Sequence, residues 1–174
     1  MTGWESSNGA RMVLTETDDY THTEAGPLGV ERPNTSPNGR LAVGSLPARG
    51  AGGASHCLSG GKVTADRWWE TCELMRVSYS SPYSPNGEQL LTRATDLQGA
   101  ERSEFTIVDA RTGRRQTRVA APRGTYDAAW LDDDTLAVLA QARGTKTTRL
   151  YRVGLDSGRE LVTRLDSRVV LGDG

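Results

Sequence analysis

Four side chains in this 174-residue chain carry the donor atoms that a transition metal prefers: His22, His56, Cys57 and Cys72. Four such ligands could complete a tetrahedral zinc site, but zinc motifs draw them from tight pairs such as Cys-x-x-Cys or His-x-x-x-His, and neither spacing occurs here. No metal is expected, and the bland reading is two loop histidines and two small apolar side chains. Cys57 and Cys72 could instead close a loop of about 15 residues as a disulfide, stabilising the fold by roughly 3 kcal/mol. That bond needs an oxidising compartment, whereas Met1 to Ala10 has no basic stretch followed by an apolar one, as a secretory leader would. Free thiols in a cytoplasmic protein are therefore the expectation.

Catalytic constellations are sparse. Ser55-His56-Cys57 are neighbours in sequence, yet triad partners must meet in space, and no Gly-x-Ser-x-Gly elbow is present. The run Ser59-Gly60-Gly61-Lys62-Val63 lacks the earlier glycine and the Ser or Thr after lysine that a phosphate loop requires. Asp18-Asp19 and Asp132-Asp133-Asp134 lie where turns are expected, and turn chemistry accounts for them better than acid–base work. No catalytic residue and no cofactor are assigned, and the chain reads as a non-enzyme.

Two features point to binding. Arg111, Arg114, Arg115 and Arg118, with Arg123 beyond them, follow one another with no acidic residue between Ala110 and Tyr126. A run of this kind binds acidic partners or simply solvates the outer strand of a sheet, which also discourages edge-to-edge aggregation. With 21 basic against 22 acidic residues the chain exerts no general pull on a polyanion, so nucleic acid is not expected. Trp68 and Trp69 are adjacent, and in a strand they would face opposite ways, one toward the core and one outward. Trp68, Trp69, Arg111, Arg114, Arg115 and Arg118 are the candidate partner-binding residues.

The elements that must carry these side chains emerge from internal repeats. Phe105-Thr106-Ile107-Val108-Asp109-Ala110-Arg111-Thr112-Gly113 aligns without gaps on Leu150-Tyr151-Arg152-Val153-Gly154-Leu155-Asp156-Ser157-Gly158, about 45 residues on. Thr117-Arg118-Val119 matches Thr163-Arg164-Leu165 at nearly the same offset, and Tyr83 to Leu91 matches Trp130 to Ala137 with one deletion. One unit reads as an aromatic residue, a tight turn (Pro85-Asn86-Gly87 or Asp132 to Asp134), and then three strands. The predicted strands are Gln89 to Thr95, Glu104 to Asp109 and Arg115 to Ala120, then Tyr126 to Leu131, Thr135 to Gln141, Thr148 to Val153 and Glu160 to Leu165. The run Leu136 to Ala140 has the unbroken apolar character of a strand buried on both faces.

Four short strands about every 45 residues describe a β-propeller blade. The pattern Tyr83-Ser84-Pro85-Asn86-Gly87, a strand, then Phe105-Thr106-Ile107-Val108-Asp109-Ala110-Arg111-Thr112-Gly113 resembles the WD-like repeat of the TolB-like propeller family, over residues 80–166. That family usually has Asp where Asn86 stands, and the Trp-Asp dipeptide of eukaryotic WD repeats is absent. The resemblance implies an all-β chain of antiparallel four-stranded blades, with two regular blades in residues 80–174 and degenerate or irregular ones in 1–79. It also implies a non-enzymatic scaffold for a protein partner or for self-association. The alternative is the propeller portion of a larger enzyme, such as a prolyl-oligopeptidase-type hydrolase.

The first half is less regular. Ser36-Pro37-Asn38-Gly39 repeats the turn before Leu41-Ala42-Val43, and Ser7-Asn8-Gly9 repeats it again. Glu73 to Val77 resembles Arg149 to Val153, the second strand after the turn of a unit, yet too few residues separate Val77 from Tyr83 for the turn and outer strand of the later units. Thr64 to Val77 also permits a helix with Trp68, Cys72 and Met75 on one face. Gly50 to Ser55, closing with Ser59-Gly60-Gly61, reads as a mobile loop. Of the Leu, Ile, Val and Phe residues, 11 lie in residues 1–87 and 20 in 88–174, so core material is concentrated in the second half. No apolar run approaches the roughly 18 residues of a membrane span. At about 46 residues per blade the chain holds fewer than four blades, an incomplete ring against the usual 4–8.

Overall fold

The computed structural model describes residues 2–5, 11–14, 24–25, 30–47, 56–65, 67–77, 81–94, 104–142, 144–156 and 158–171. Among them every regular element is a strand, and all pairing is antiparallel between strands that follow one another in the chain. β1 (Thr2–Glu5) and β2 (Arg11–Leu14) form a two-stranded sheet. The first large sheet holds β3 (Glu24–Ala25), β4 (Val30–Thr35), β5 (Leu41–Pro47), β6 (His56–Lys62) and β7 (Trp69–Thr71). The middle sheet holds β8 (Leu74–Arg76), β9 (Gln89–Ala94), β10 (Glu104–Asp109) and β11 (Arg115–Ala120). The last holds β12 (Thr125–Asp132), β13 (Thr135–Gln141), β14 (Thr148–Gly154) and β15 (Arg159–Leu165).

The Ser-Pro-Asn-Gly motif is a hydrogen-bonding device, used twice in the same form. Ser84 Oγ donates to Asn86 Oδ1 (2.8 Å) and accepts from Gln89 N (3.1 Å), Glu88 N donates to Asn86 Oδ1 (2.9 Å), and Gly87 N donates to Ser84 O (2.8 Å). Ser36, Asn38, Gly39, Arg40 and Leu41 repeat these bonds one sheet earlier. Gly87 sits at φ 75°, a left-handed conformation that glycine adopts without penalty. The turns of successive sheets also meet. A Cβ on Gly87 would lie 3.2 Å from Ser36 Cβ, and Asn86 N donates to Asp133 Oδ1 at 2.9 Å.

Two cores lie between the three large sheets. Leu41, Val43, Leu58, Leu74, Tyr83, Leu90, Val108 and Ala110 pack the first sheet on the middle one. Val77, Leu91, Phe105, Ile107, Val119, Ala128, Leu136, Val138 and Val153 pack the middle sheet on the last. Leu90 and Leu91 enter different cores, as do Ile107 and Val108, because successive strand residues face opposite ways. The central strands of the middle sheet, β9 and β10, are thus buried on both faces, and so is β13, whose residues Thr135 to Ala140 are all buried.

Two expectations for the first half are corrected, and the helix that the sequence also permitted is not formed. Residues 64–77 form no helix where described; they give β7 and β8, with Trp69 opening β7 against Gly60 and Trp68, just before the strand, against Gly61. Ser59-Gly60-Gly61 belongs to β6 and is buried, because indoles from Trp68 and Trp69 cover the two glycines. Leu74 to Arg76 is the first strand of the middle sheet, not the second strand after a turn: it pairs with β9, and the short span to Tyr83 carries only an isolated bridge from Tyr83 to Leu90. The Ser7-Asn8-Gly9 turn and Gly50 to Ser55 lie outside the described residues. No helix is long and apolar enough to cross a membrane among the described residues.

Tyr83 is 3% exposed, and its hydroxyl has no hydrogen-bond partner among the described residues. Burial pushes its phenol well above the ordinary value. A raised folded pKa means stability is intact below the unfolded value of about 10 and falls as pH rises beyond it. Tyr83→Phe is expected to change stability at neutral pH by less than about 1 kcal/mol, since no bond to protein is lost, and to flatten the decline above pH 10 in urea unfolding. Ile107→Ala, at a site 0% exposed, should cost about 2–5 kcal/mol. Val162→Ala, at 55% exposure, should stay within about 0.5 kcal/mol in the same assay.

Candidate functional site

The turn that carries the arginine run is built by Asp109. Its Oδ1 accepts from Arg111 N (3.0 Å), Thr112 N (2.8 Å) and Thr112 Oγ1 (2.8 Å), while Gly113 N donates to Asp109 O (2.8 Å). These bonds hold the β10–β11 connection tight and leave Arg111 and Arg114 exposed on its tip. Arg115 and Arg118 follow on β11, the edge strand of the middle sheet, and both are exposed. Arg115 Nη2 forms an ion pair with Glu73 Oε2. Both partners are substantially solvated, so the pair is worth little to stability.

Trp69 meets the same turn from the first sheet. Its Nε1 donates to Ala110 O at 3.1 Å, and its ring lies against Gly113 and Gly60. A Cβ on Gly113 would fall 2.6 Å from Trp69 Cδ2, and one on Gly60 would fall 2.7 Å from Trp69 Cζ2. The indole is therefore a wedge between β6 and the β10–β11 turn, half-buried and packed on the core between the sheets. Trp68 is half-buried over Gly61, with its Nε1 donating to Lys62 O at 2.9 Å. Of the six sequence-selected residues, Trp69, Arg111, Arg114 and Arg115 converge around one turn. Trp68 caps the β6–β7 connection, and Arg118 stands farther along β11, paired with Thr106.

Cys57 and Cys72 are joined in a disulfide, in place of the free thiols expected. The reason is register. Leu58 opposes Thr71 and Ser59 opposes Glu70, so one more step along the ladder sets Cys57 across from Cys72, with Cα atoms 4.0 Å apart. Glu70 and Cys72 share one face of their strand, and sequence reasoning missed Glu70 because nothing in its spacing announces the pairing. Among the carboxylates of the 132–134 turn, a hydrogen bond from the Asp134 backbone, with help from Thr135 and Arg152, holds Asp132 below the usual carboxylate range. That is turn geometry, as its spacing implied.

The wedge makes a test. Gly113 sits at φ 68°, so Gly113→Ala meets both backbone strain of about 1–2 kcal/mol and overlap with the Trp69 ring. In a double-mutant cycle with Trp69→Ala, the cost of Gly113→Ala should fall by about 0.5–3 kcal/mol once the indole is gone. Additive urea-unfolding energies would show that the indole does not wedge the turn.

No family model matches the chain, and no curated protein matches it. Among solved structures it is similar to a eukaryotic initiation factor, with TM-score 0.56 at 10% identity over 95% of this chain and 43% of that one. It is also similar to a hydrazine synthase from Kuenenia stuttgartiensis, with TM-score 0.50 at 12% identity over 91% of this chain and 43% of that one. At such identities the likeness is one of fold, and the chain spans less than half the length of each of these two structures.

Proposed function

We propose that the three large sheets are blades of a propeller-type array of TolB-like or WD-like character, and that the array serves as a non-enzymatic scaffold for a protein partner. Support comes from the serial packing of antiparallel sheets and from the turns of successive sheets meeting at one end. The observation that carries the binding role is the exposed arginine set at the middle sheet's edge. Arg111 and Arg114 on the turn tip and Arg118 on β11 have no ion-pair partner among the described residues, and the outer side of β11 is unpaired in its sheet. An edge strand flanked by solvated cations suits an acidic, extended segment of a partner, which would gain main-chain hydrogen bonds as well as charge. Trp69 drops out of the contact surface on this reading, because its indole is spent on the fold.

A second reading has its own support. A chain spanning 43% of a solved enzyme with a similar fold suits the propeller portion of a larger enzyme whose chemistry resides elsewhere. The Cys57–Cys72 bond favours an oxidising compartment over the cytoplasm expected from the sequence, where the dithiol form would prevail.

The scaffold reading is tested by capture from native lysate, with light scattering after size exclusion to establish the oligomeric state. The triple variant Arg111→Gln, Arg114→Gln, Arg118→Gln should lose the captured protein, or the self-association, while its unfolding midpoint stays unchanged. Retained capture by the triple variant overturns the assignment of the site. A folded, monomeric wild type that captures nothing overturns the scaffold role itself.

A further inference from the structure

The β6–β7 hairpin gathers three potential ligands that lie apart in sequence. Cys57 Sγ, Cys72 Sγ and a carboxylate oxygen of Glu70 all lie within 4.8 Å of one another. The arrangement follows from the ladder: Cys57 opposes Cys72, and Glu70 sits two residues before Cys72 on the same face of the strand. His56 does not join them, since its neighbour position on β6 sends its side chain to the other face. Glu70 and Cys72 are exposed while Cys57 is buried, so the cluster is open to solvent on one side. Glu70 has no ion-pair partner among the described residues that would hold it away from the sulfurs.

We propose that this cluster is a redox-gated zinc site, closed as a disulfide and opened to metal by reduction. A dithiol reductant supplies two electrons and two protons, becoming a disulfide itself as the Cys57–Cys72 bond breaks to give two thiols. Zinc then binds both sulfurs as thiolates, releasing those two protons, and takes Glu70 as its third protein ligand. Two thiolates and one carboxylate suit a borderline-soft divalent ion and disfavour calcium or magnesium. Three protein ligands leave the fourth tetrahedral position to water or to a group brought by a partner. A disulfide oxidant reverses the sequence: it takes up the two electrons, with two protons from water, to become a dithiol as the Cys57–Cys72 bond re-forms, and the ion is expelled because sulfurs bonded to each other cannot act as thiolates. Both states cross-link β6 to β7 at the same place, so the hairpin is held in either one.

The test uses the full chain and the metal alone. The disulfide is reduced with a water-soluble phosphine, which takes up oxygen from water to become the phosphine oxide. The reductant is removed without air, and Co²⁺ then Zn²⁺ are titrated in. One Co²⁺ per chain, bound with release of two protons and a thiolate-to-cobalt charge-transfer band and then displaced by Zn²⁺ without further proton release, is the expected result. The oxidised chain should show no such band. Glu70→Gln, which keeps the disulfide, should weaken Zn²⁺ binding by about 10-fold or more. Absence of the charge-transfer band in the reduced chain overturns the site, and unchanged affinity in Glu70→Gln removes the carboxylate from it. Circular dichroism guards against loss of fold on reduction: recovery of the sheet spectrum on adding Zn²⁺ supports the site, and a reduced chain that unfolds and is not restored by Zn²⁺ overturns it.

Discussion

The fold depends on two central strands of the middle sheet that have no solvent face. β9 and β10 carry aliphatic side chains on both faces, with Leu90 and Val108 turned to one neighbour and Leu91 and Ile107 to the other. In a half-exposed sheet, a slip of one residue sends the apolar set into water, and this fixes register. Here a slip merely exchanges one aliphatic for another, so the hydrophobic effect drives burial without choosing the pairing. The choice falls to the turns. Ser84 and Asn86 lock Gln89 at the head of β9, and Asp109 locks the entry to β11. Polar side chains at the ends of the strands thus do what alternation does in simpler sheets.

That division of labour explains what the sequence made legible. In the second half each strand is bracketed by a turn whose residue types have a definite geometric use. Strands such as Glu104–Asp109, Arg115–Ala120 and Thr135–Gln141 therefore occupy the predicted residues. The all-β class, the antiparallel pairing and the turn role of Asp132 to Asp134 follow from the same signals. The Ser36-Pro37-Asn38-Gly39 turn carried this logic into the first half, and the strand after it lies where the motif puts it.

What the sequence concealed is a strand whose bulk comes from elsewhere. Cys57-Leu58-Ser59-Gly60-Gly61 has too little side chain to read as a buried strand, because the packing volume over its glycines belongs to Trp69 of the next strand and Trp68 just before it. Glycine is ordinarily a weak strand residue, but here a Cβ on Gly60 would collide with the Trp69 indole and one on Gly61 would crowd that of Trp68. The pairing of Cys57 with Cys72 was visible as a possibility but not decidable: the missing leader argued for free thiols, a separation of 15 is compatible with many geometries, and only the β6–β7 register sets the two sulfurs together. The arginines were visible as a run, but the convergence of Trp69 on their turn depends on how the first sheet docks on the middle one, which no local pattern encodes.

The last sheet meets the two-face constraint by different means. Leu136 and Val138 bury against the middle sheet, yet Ala137 and Leu139 on the other face of β13 are buried as well. Residues 168–171 lie along that face. Leu171 N donates to Asp127 Oδ2 at 2.8 Å, Asp127 being the partner of Leu139 across the β12–β13 ladder. Tyr126 Oη donates to Val169 O at 2.7 Å, and the Arg168 guanidinium lies 4.9 Å from the Tyr126 ring centre. A single extended segment is narrower than a sheet, so its cover reaches β12 and β13 but not β15, where every residue from Arg159 to Arg164 is exposed. The burial gradient across this sheet thus reflects the width of what covers it, a sheet on one side and a strap on the other.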